Sequence, residues 1–282
     1  MATTTTKPAA APKAAPKKST GFVGIRQAFL VIVVCAIIAF VNFFFVLGNP
    51  SNFENGDPNG HPLNIMGTIF KGGIVVPVIH TLLLTVIALS IERILALRTA
   101  FGKGSLAKFT ANIKKALHEN DFAKANQLCD KQKGSVANVV KASLNAYAEM
   151  QNTSGIKKAQ KVAKIQQAHE EATQLEMPTL QMNLPILATL TTLGTLTGLL
   201  GTVIGMIKSF QALAAGGGGD SLELSTGISE ALINTAFGIG TSWCAVIAYN
   251  TFTNKIDKLT YALDEVGYSI AQTYEANHTE EA

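Results

Sequence analysis

Four stretches of this chain are so long and so poor in charge that water cannot be their main solvent: Ala28 to Leu47, Ile74 to Ile91, Leu184 to Ile207 and Leu224 to Asn254. Asn42 is the one polar residue of the first, and His80 is the one ionisable residue of the second. The third holds no charge, and Glu230 is the only acid or base of the fourth. About 20 such residues cross a hydrocarbon core of roughly 30 Å as a helix, the form that satisfies its backbone hydrogen bonds without water. The sequence therefore predicts an all-α integral membrane protein with transmembrane helices at 28–47, 74–91, 184–210 and 227–252. A signal peptide at the first run is disfavoured by its length and by the absence of an A-x-A site after it.

The segments between the runs differ in kind. Residues 1–27 open with Ala, Pro, Thr and Lys and predict a disordered basic arm, because they hold too little bulk to offset the entropy of ordering. Residues 48–73, dense in Gly, Pro and Asn, predict an exposed periplasmic loop. From 92 to 183, patterns such as LAKFTANIKKALHEN and VANVVKASLNAYAEM place apolar residues three and four apart, which predicts a soluble helical domain whose last helix is closed or kinked by Pro178. A glycine-rich turn at 211–226 makes the last two spans an expected hairpin, and 253–282 reads as an amphipathic C-terminal helix. Lys and Arg crowd the arm and the 92–183 domain but are sparse in the two loops. The positive-inside rule then puts both termini and the domain in the cytoplasm.

Charged residues are only 15% of the chain and the basic ones are scattered, which argues against nucleic-acid binding. Cys35, Cys129 and Cys244 are far apart and predict reduced, buried side chains with no disulfide framework; the five histidines form no ligand pair, so no metal site is expected. Gly201 to Ser209 (GTVIGMIKS) lacks the contiguous Gly-Lys-Ser and the preceding strand of a phosphate loop. No nucleophile–base pair or cofactor motif is present, and no catalytic role is expected.

Gly194, Gly198, Gly201 and Gly205 recur at spacings of four, three and four and share one helical face, as glycines do where helices pack closely in lipid. Ala231, Thr235, Gly238, Ser242 and Ala245 repeat the spacing in the fourth run. Thr195 and Thr202 form a hydroxyl stripe beside the glycines. Packing accounts for these hydroxyls at least as well as a wet path does. Glu230 is the sharper signal, since a carboxylate in an apolar span is costly and marks a cavity, a partner or an ion route; a place at headgroup level, seven residues from Glu223, is the competing reading. His80, near Pro77 and Lys71, is a weaker relay candidate.

GLLGTVIGMIKSF (198–210), STGISEALINTAFGIG (225–240) and AVIAYN (245–250) together resemble the paired membrane signature of the MotA/TolQ/ExbB proton channel family, in its ExbB/TolQ branch, with a wider resemblance over about 72–274. That resemblance implies a ring-shaped homo-oligomer, typically a pentamer, whose pore is lined by the last two spans and holds an ExbD- or TolR-like single-span partner bearing an essential aspartate. By motif, Thr202 and Thr235 fall on the family's pore-lining threonines and Glu230 on its intramembrane glutamate. The implied function is a proton-driven inner-membrane motor subunit energising a TonB-like transducer and outer-membrane transport. Tol-type envelope maintenance, a motility stator, and a non-motor transporter or scaffold are the alternatives. Thr195, Thr226 and Cys244 stand where the family commonly has proline, and the span at 28–47 is additional to the family pattern.

Overall fold

A computed structural model describes residues 24–25, 27–58, 60–215 and 221–279. Nearly all of the expected basic arm at 1–27, and the central glycines of the 211–226 turn, lie outside the described residues. Among the described residues every regular element is helical, apart from an isolated bridge between Phe53 and Pro62. The helices are α1 (Ala28–Val41, prolonged by a π-type turn Asn42–Leu47), α2 (Ile65–Lys71), α3 (Val75–Phe101), α4 (Leu106–His118), α5 (Phe122–Gln132), α6 (Gly134–Gln151), α7 (Lys158–Leu180), α8 (Leu184–Ala215) and α9 (Ser221–Asn277). Four helical stretches are long and apolar enough to cross a membrane, within Ala28–Leu47, Val75–His118, Leu184–Gln211 and Leu224–Asn277.

The chain divides into two compact units, one from 24–100 with 176–262, the other from 101–175 with 263–279. In the first, α1 is exposed along most of its length, with Phe29, Ile37 and Phe45 bare, which suits a lipid-facing helix. Its C-terminal end is tied down: Phe43 stacks on Phe70 of α2 with ring centroids 4.6 Å apart, and Leu47 and Val76 complete the cluster. The segment expected as an exposed loop at 48–73 is in fact built around the buried Asn52. Asn52 Nδ2 donates to the carbonyls of Val46 (2.8 Å) and Leu47 (3.0 Å), and its Oδ1 accepts from Asn64 Nδ2 (2.9 Å). Asn64 in turn caps α2, accepting from Gly67 N. One asparagine thus satisfies carbonyls that the end of a helix leaves open.

Glu92 and Arg93, which directly follow the second apolar run, are 3% and 0% exposed. The Arg93 guanidinium grips Glu92 through Nε–Oε2 (2.6 Å) and Nη2–Oε1 (2.5 Å) and donates to the carbonyls of Thr179 and Leu180, each at 3.3 Å. Ile25 N donates to Glu92 Oε1 (2.9 Å), and Asn183 Nδ2 donates to Ile25 O. α7 runs two residues beyond Pro178, so the proline sits in the last turn rather than ending the helix at 177.

The second unit packs α4, α5, α6, most of α7 and the end of α9 around Ile113, Leu117, Val140, Leu144, Ile165 and Ile270. Asp121 caps α5 by accepting from Lys124 N. Tyr274 is buried against Tyr147, its hydroxyl donating to Met150 O at 3.0 Å. His169 Nδ1 lies 2.8 Å from Ser143 Oγ, and the ring fills the space that the missing side chain of Gly267 leaves. Cys129 is buried, and burial pushes its thiol up to about 12.

Candidate functional site

α8 and α9 run antiparallel in close contact. A Cβ on Gly194 would stand 2.6 Å from Ser242 Oγ, one on Gly198 2.9 Å from Asn234 O, one on Gly201 2.6 Å from Asn234 Cβ, and one on Gly205 3.0 Å from Ala231 Cβ. From the other side, a Cβ on Gly238 would meet Gly194 O at 2.6 Å and Gly198 Cα at 2.7 Å. Each of the five glycines picked out by spacing therefore stands where another helix comes within van der Waals reach, and at Gly194, Gly198, Gly201 and Gly238 a larger residue would force a shift.

This close approach brings two hydroxyls together. Thr202 Oγ1 and Thr235 Oγ1 are hydrogen-bonded across the interface, each also reaching a helix carbonyl: Gly198 O at 3.2 Å from Thr202 and Ala231 O at 3.3 Å from Thr235. Both threonines are half-buried. Glu230 is likewise half-buried, five residues before Thr235 and so roughly 7–8 Å along the axis of α9. The charges of Lys208 on α8 and Lys71 at the end of α2 act on it. The structure groups Thr202 with Thr235 directly and sets Glu230 about a turn and a half away on the same helix. The ring of His80 on α3 stands edge-on to Phe237 of α9 with centroids 5.3 Å apart.

Two participants escape a reading based on charge. Ser242 Oγ accepts from both the backbone N–H of Thr195 (2.7 Å) and its hydroxyl (2.9 Å), a pairing open to Thr195 because it is not a proline. Asn234, 2% exposed, donates from Nδ2 to Gly72 O at 2.9 Å and seats its Cβ on Gly201. Its position within the 231–245 face was a usable signal; its lack of charge hid it. Cys244, expected to be buried, is exposed, because α9 turns that position away from the face that carries Ala231, Gly238 and Ala245. No cluster of three His, Cys, Asp or Glu residues suited to a metal occurs among the described residues.

Residues 132–265 match the MotA/TolQ/ExbB proton channel family. The chain is 32% identical over 124 residues to the Tol-Pal system protein TolQ of Pseudomonas aeruginosa, covering 44% of this chain and 54% of that protein. It is 37% identical over 81 residues to the biopolymer transport protein ExbB of Helicobacter pylori, covering 29% and 56% respectively. The TolQ of Haemophilus influenzae is 34% identical over 84 residues, 30% of this chain and 37% of that one. The chain thus spans about half the length, or less, of these curated relatives.

Proposed function

We propose, on the premise that the segment 132–265 belongs to the MotA/TolQ/ExbB proton channel family, that this multi-pass membrane protein is the proton-channel subunit of an inner-membrane motor driven by the proton-motive force. In this reading the Thr202–Thr235 pair and Glu230 line a path for protons, and the chain assembles as a ring, a pentamer by resemblance, around an ExbD- or TolR-like single-span partner. The observation that carries it is the hydroxyl pair itself, two threonines in direct contact where glycines let α8 and α9 approach closely.

The chemistry follows from the low dielectric of the surroundings. An apolar wall excludes a charged carboxylate but admits a neutral one, so a partner's acid crosses it only when protonated. Threonine hydroxyls, donor and acceptor at once, can pass a proton by exchanging roles without acquiring a full charge. Glu230 supplies a fixed acid on the same helix. Each proton crossing a membrane potential delivers about 2.3 kcal/mol per 100 mV.

The output we favour is energisation of a TonB-like transducer and outer-membrane transport, which the likeness to an ExbB supports. Envelope maintenance of the Tol type is the second reading, supported by the likeness to two TolQ proteins. Both place the protein in the inner membrane with its termini and its 92–183 domain in the cytoplasm. The test is native mass spectrometry of the protein purified in mild detergent with its co-expressed single-span partner. A closed homo-oligomer carrying the partner is expected; a monomer or simple dimer with no ring would sink the motor reading and favour a transporter.

A further inference from the structure

Asn234 is an oddity in the tightest part of the molecule. An amide in an apolar helix interface is costly unless both its ends are bonded. Here Nδ2 has a partner, Gly72 O at 2.9 Å, whereas Oδ1, also buried, has none among the described residues. An apolar side chain branched at Cγ, such as leucine, would carry no such cost, so packing alone does not call for an amide here.

What the amide does instead is join three elements at one point. Gly72 closes α2, and Gly73, with φ +72, turns the chain into α3. Gly201, the neighbour of Thr202, receives the Asn234 Cβ, and Asn234 is itself the neighbour of Thr235. A shift of α9 that separated the two hydroxyls while the α2–α3 turn kept its place beside α8 would therefore break the Nδ2 bond to Gly72. Asn234 also lies one helical turn from Glu230, and the residue before Gly72 is Lys71, one of the two cations that act on Glu230. One hydrogen bond thus ties the α2–α3 turn to the level of α9 that carries both Glu230 and Thr235.

We propose that Asn234 is a positioning residue: through its bond to the Gly72 carbonyl it fixes α9 so that Thr235 meets Thr202. The inference rests on reading those threonines as the proton path. Asn234 does not carry the proton; it acts through Thr235.

The test uses the full chain, purified with its co-expressed partner and reconstituted into phosphatidylethanolamine–phosphatidylglycerol vesicles loaded with pyranine, with a valinomycin-set potassium potential. Asn234→Leu keeps the branch at Cγ above Gly201 and is expected to leave the complex inserted and assembled while lowering proton flux about tenfold, since reacting groups are sensitive to displacements of about 1 Å. The Asn234→Leu/Thr235→Val double variant should be no slower than Thr235→Val alone, because one residue acts through the other. Asn234→Ser, smaller and free of any clash on Gly201, is the second variant and must show the same non-additivity. Wild-type flux in Asn234→Leu, or losses that multiply in the double variant, would overturn the inference while leaving the proton channel intact. No flux from the wild-type complex would overturn the proposed function itself, and this inference with it.

Discussion

The backbone N–H of Thr195 on α8 donates to Ser242 Oγ on α9 at 2.7 Å, and the Thr195 hydroxyl donates to the same oxygen at 2.9 Å. A main-chain N–H of one membrane helix thereby gains an acceptor on the side chain of its neighbour. Ser242→Ala removes the acceptor for both donors; because Thr195 is exposed and lies inside α8, where helical N–H groups have carbonyl partners, thermal stability of the solubilised protein should fall by only about 0.5–1.5 kcal/mol, the net worth of a hydrogen bond. A melt followed by circular dichroism measures it, and a melt identical to wild type would show that the bond adds no net stability.

The Glu92–Arg93 pair should be the most sensitive polar site of the membrane unit. With both side chains buried, truncating one leaves an uncompensated charge, so Arg93→Ala and Glu92→Ala should each cost about 3–5 kcal/mol or abolish folding. Removing both should cost less than the sum, because neither charge is then stranded. Expression level and melting temperature of the three variants provide the check; additive losses would mean that the two side chains act independently.

Acid should loosen the helical unit through His169. Burial holds this imidazole below its ordinary 6.5, while Asp264 and Glu170 pull it the other way. Its Nε2 has no hydrogen-bond partner among the described residues and faces Gly267. The folded state therefore favours the neutral ring, and below about pH 6.5 the unfolded chain binds the proton more readily, so stability falls as pH drops from that point. The loss is at most about 1.4 kcal/mol per pH unit. Melting temperatures from pH 7.5 to 5 should decline in the wild type and be flatter in His169→Gln. Equal slopes would place the acid sensitivity elsewhere.

The positive-inside orientation is testable with single cysteines in a background where Cys35, Cys129 and Cys244 are replaced. A membrane-impermeant maleimide applied to intact cells should label Glu54→Cys, in the exposed part of the 48–73 segment, and spare Lys131→Cys on α5. The reverse pattern would invert the topology.

What the sequence discloses, and what it withholds, follows from the kind of interaction involved. The four membrane helices are legible because hydrocarbon demands long uncharged runs, and the glycine face of α8 is legible because close packing demands spacings of four and three; every glycine on it meets α9. The family match at 132–265 falls inside the stretch where the motifs resemble that family. The polar clasps are invisible beforehand because their partners are backbone groups remote in the chain. Asn234 bonds to a carbonyl 162 residues away, and Arg93 reaches carbonyls 86 and 87 residues away. A main-chain carbonyl has no residue type, so no pattern announces it. The 48–73 segment looks like loose loop for the same reason: its order comes from Asn52 gripping the last carbonyls of the helical stretch before it. Cys244 shows the limit of reading polarity alone, since a small apolar residue in lipid is equally at home facing outward.

The central claim is that Thr202, Thr235 and Glu230 form a proton path, and the most direct measurement is proton uptake by vesicles containing the protein with its co-expressed partner under an imposed potential. Wild-type complex should acidify the lumen at a rate that Glu230→Gln abolishes, and Thr202→Val and Thr235→Val should slow it about tenfold or more while each variant still inserts and assembles. Equal rates in the wild type and all three variants would contradict the account and leave these residues with a packing role only.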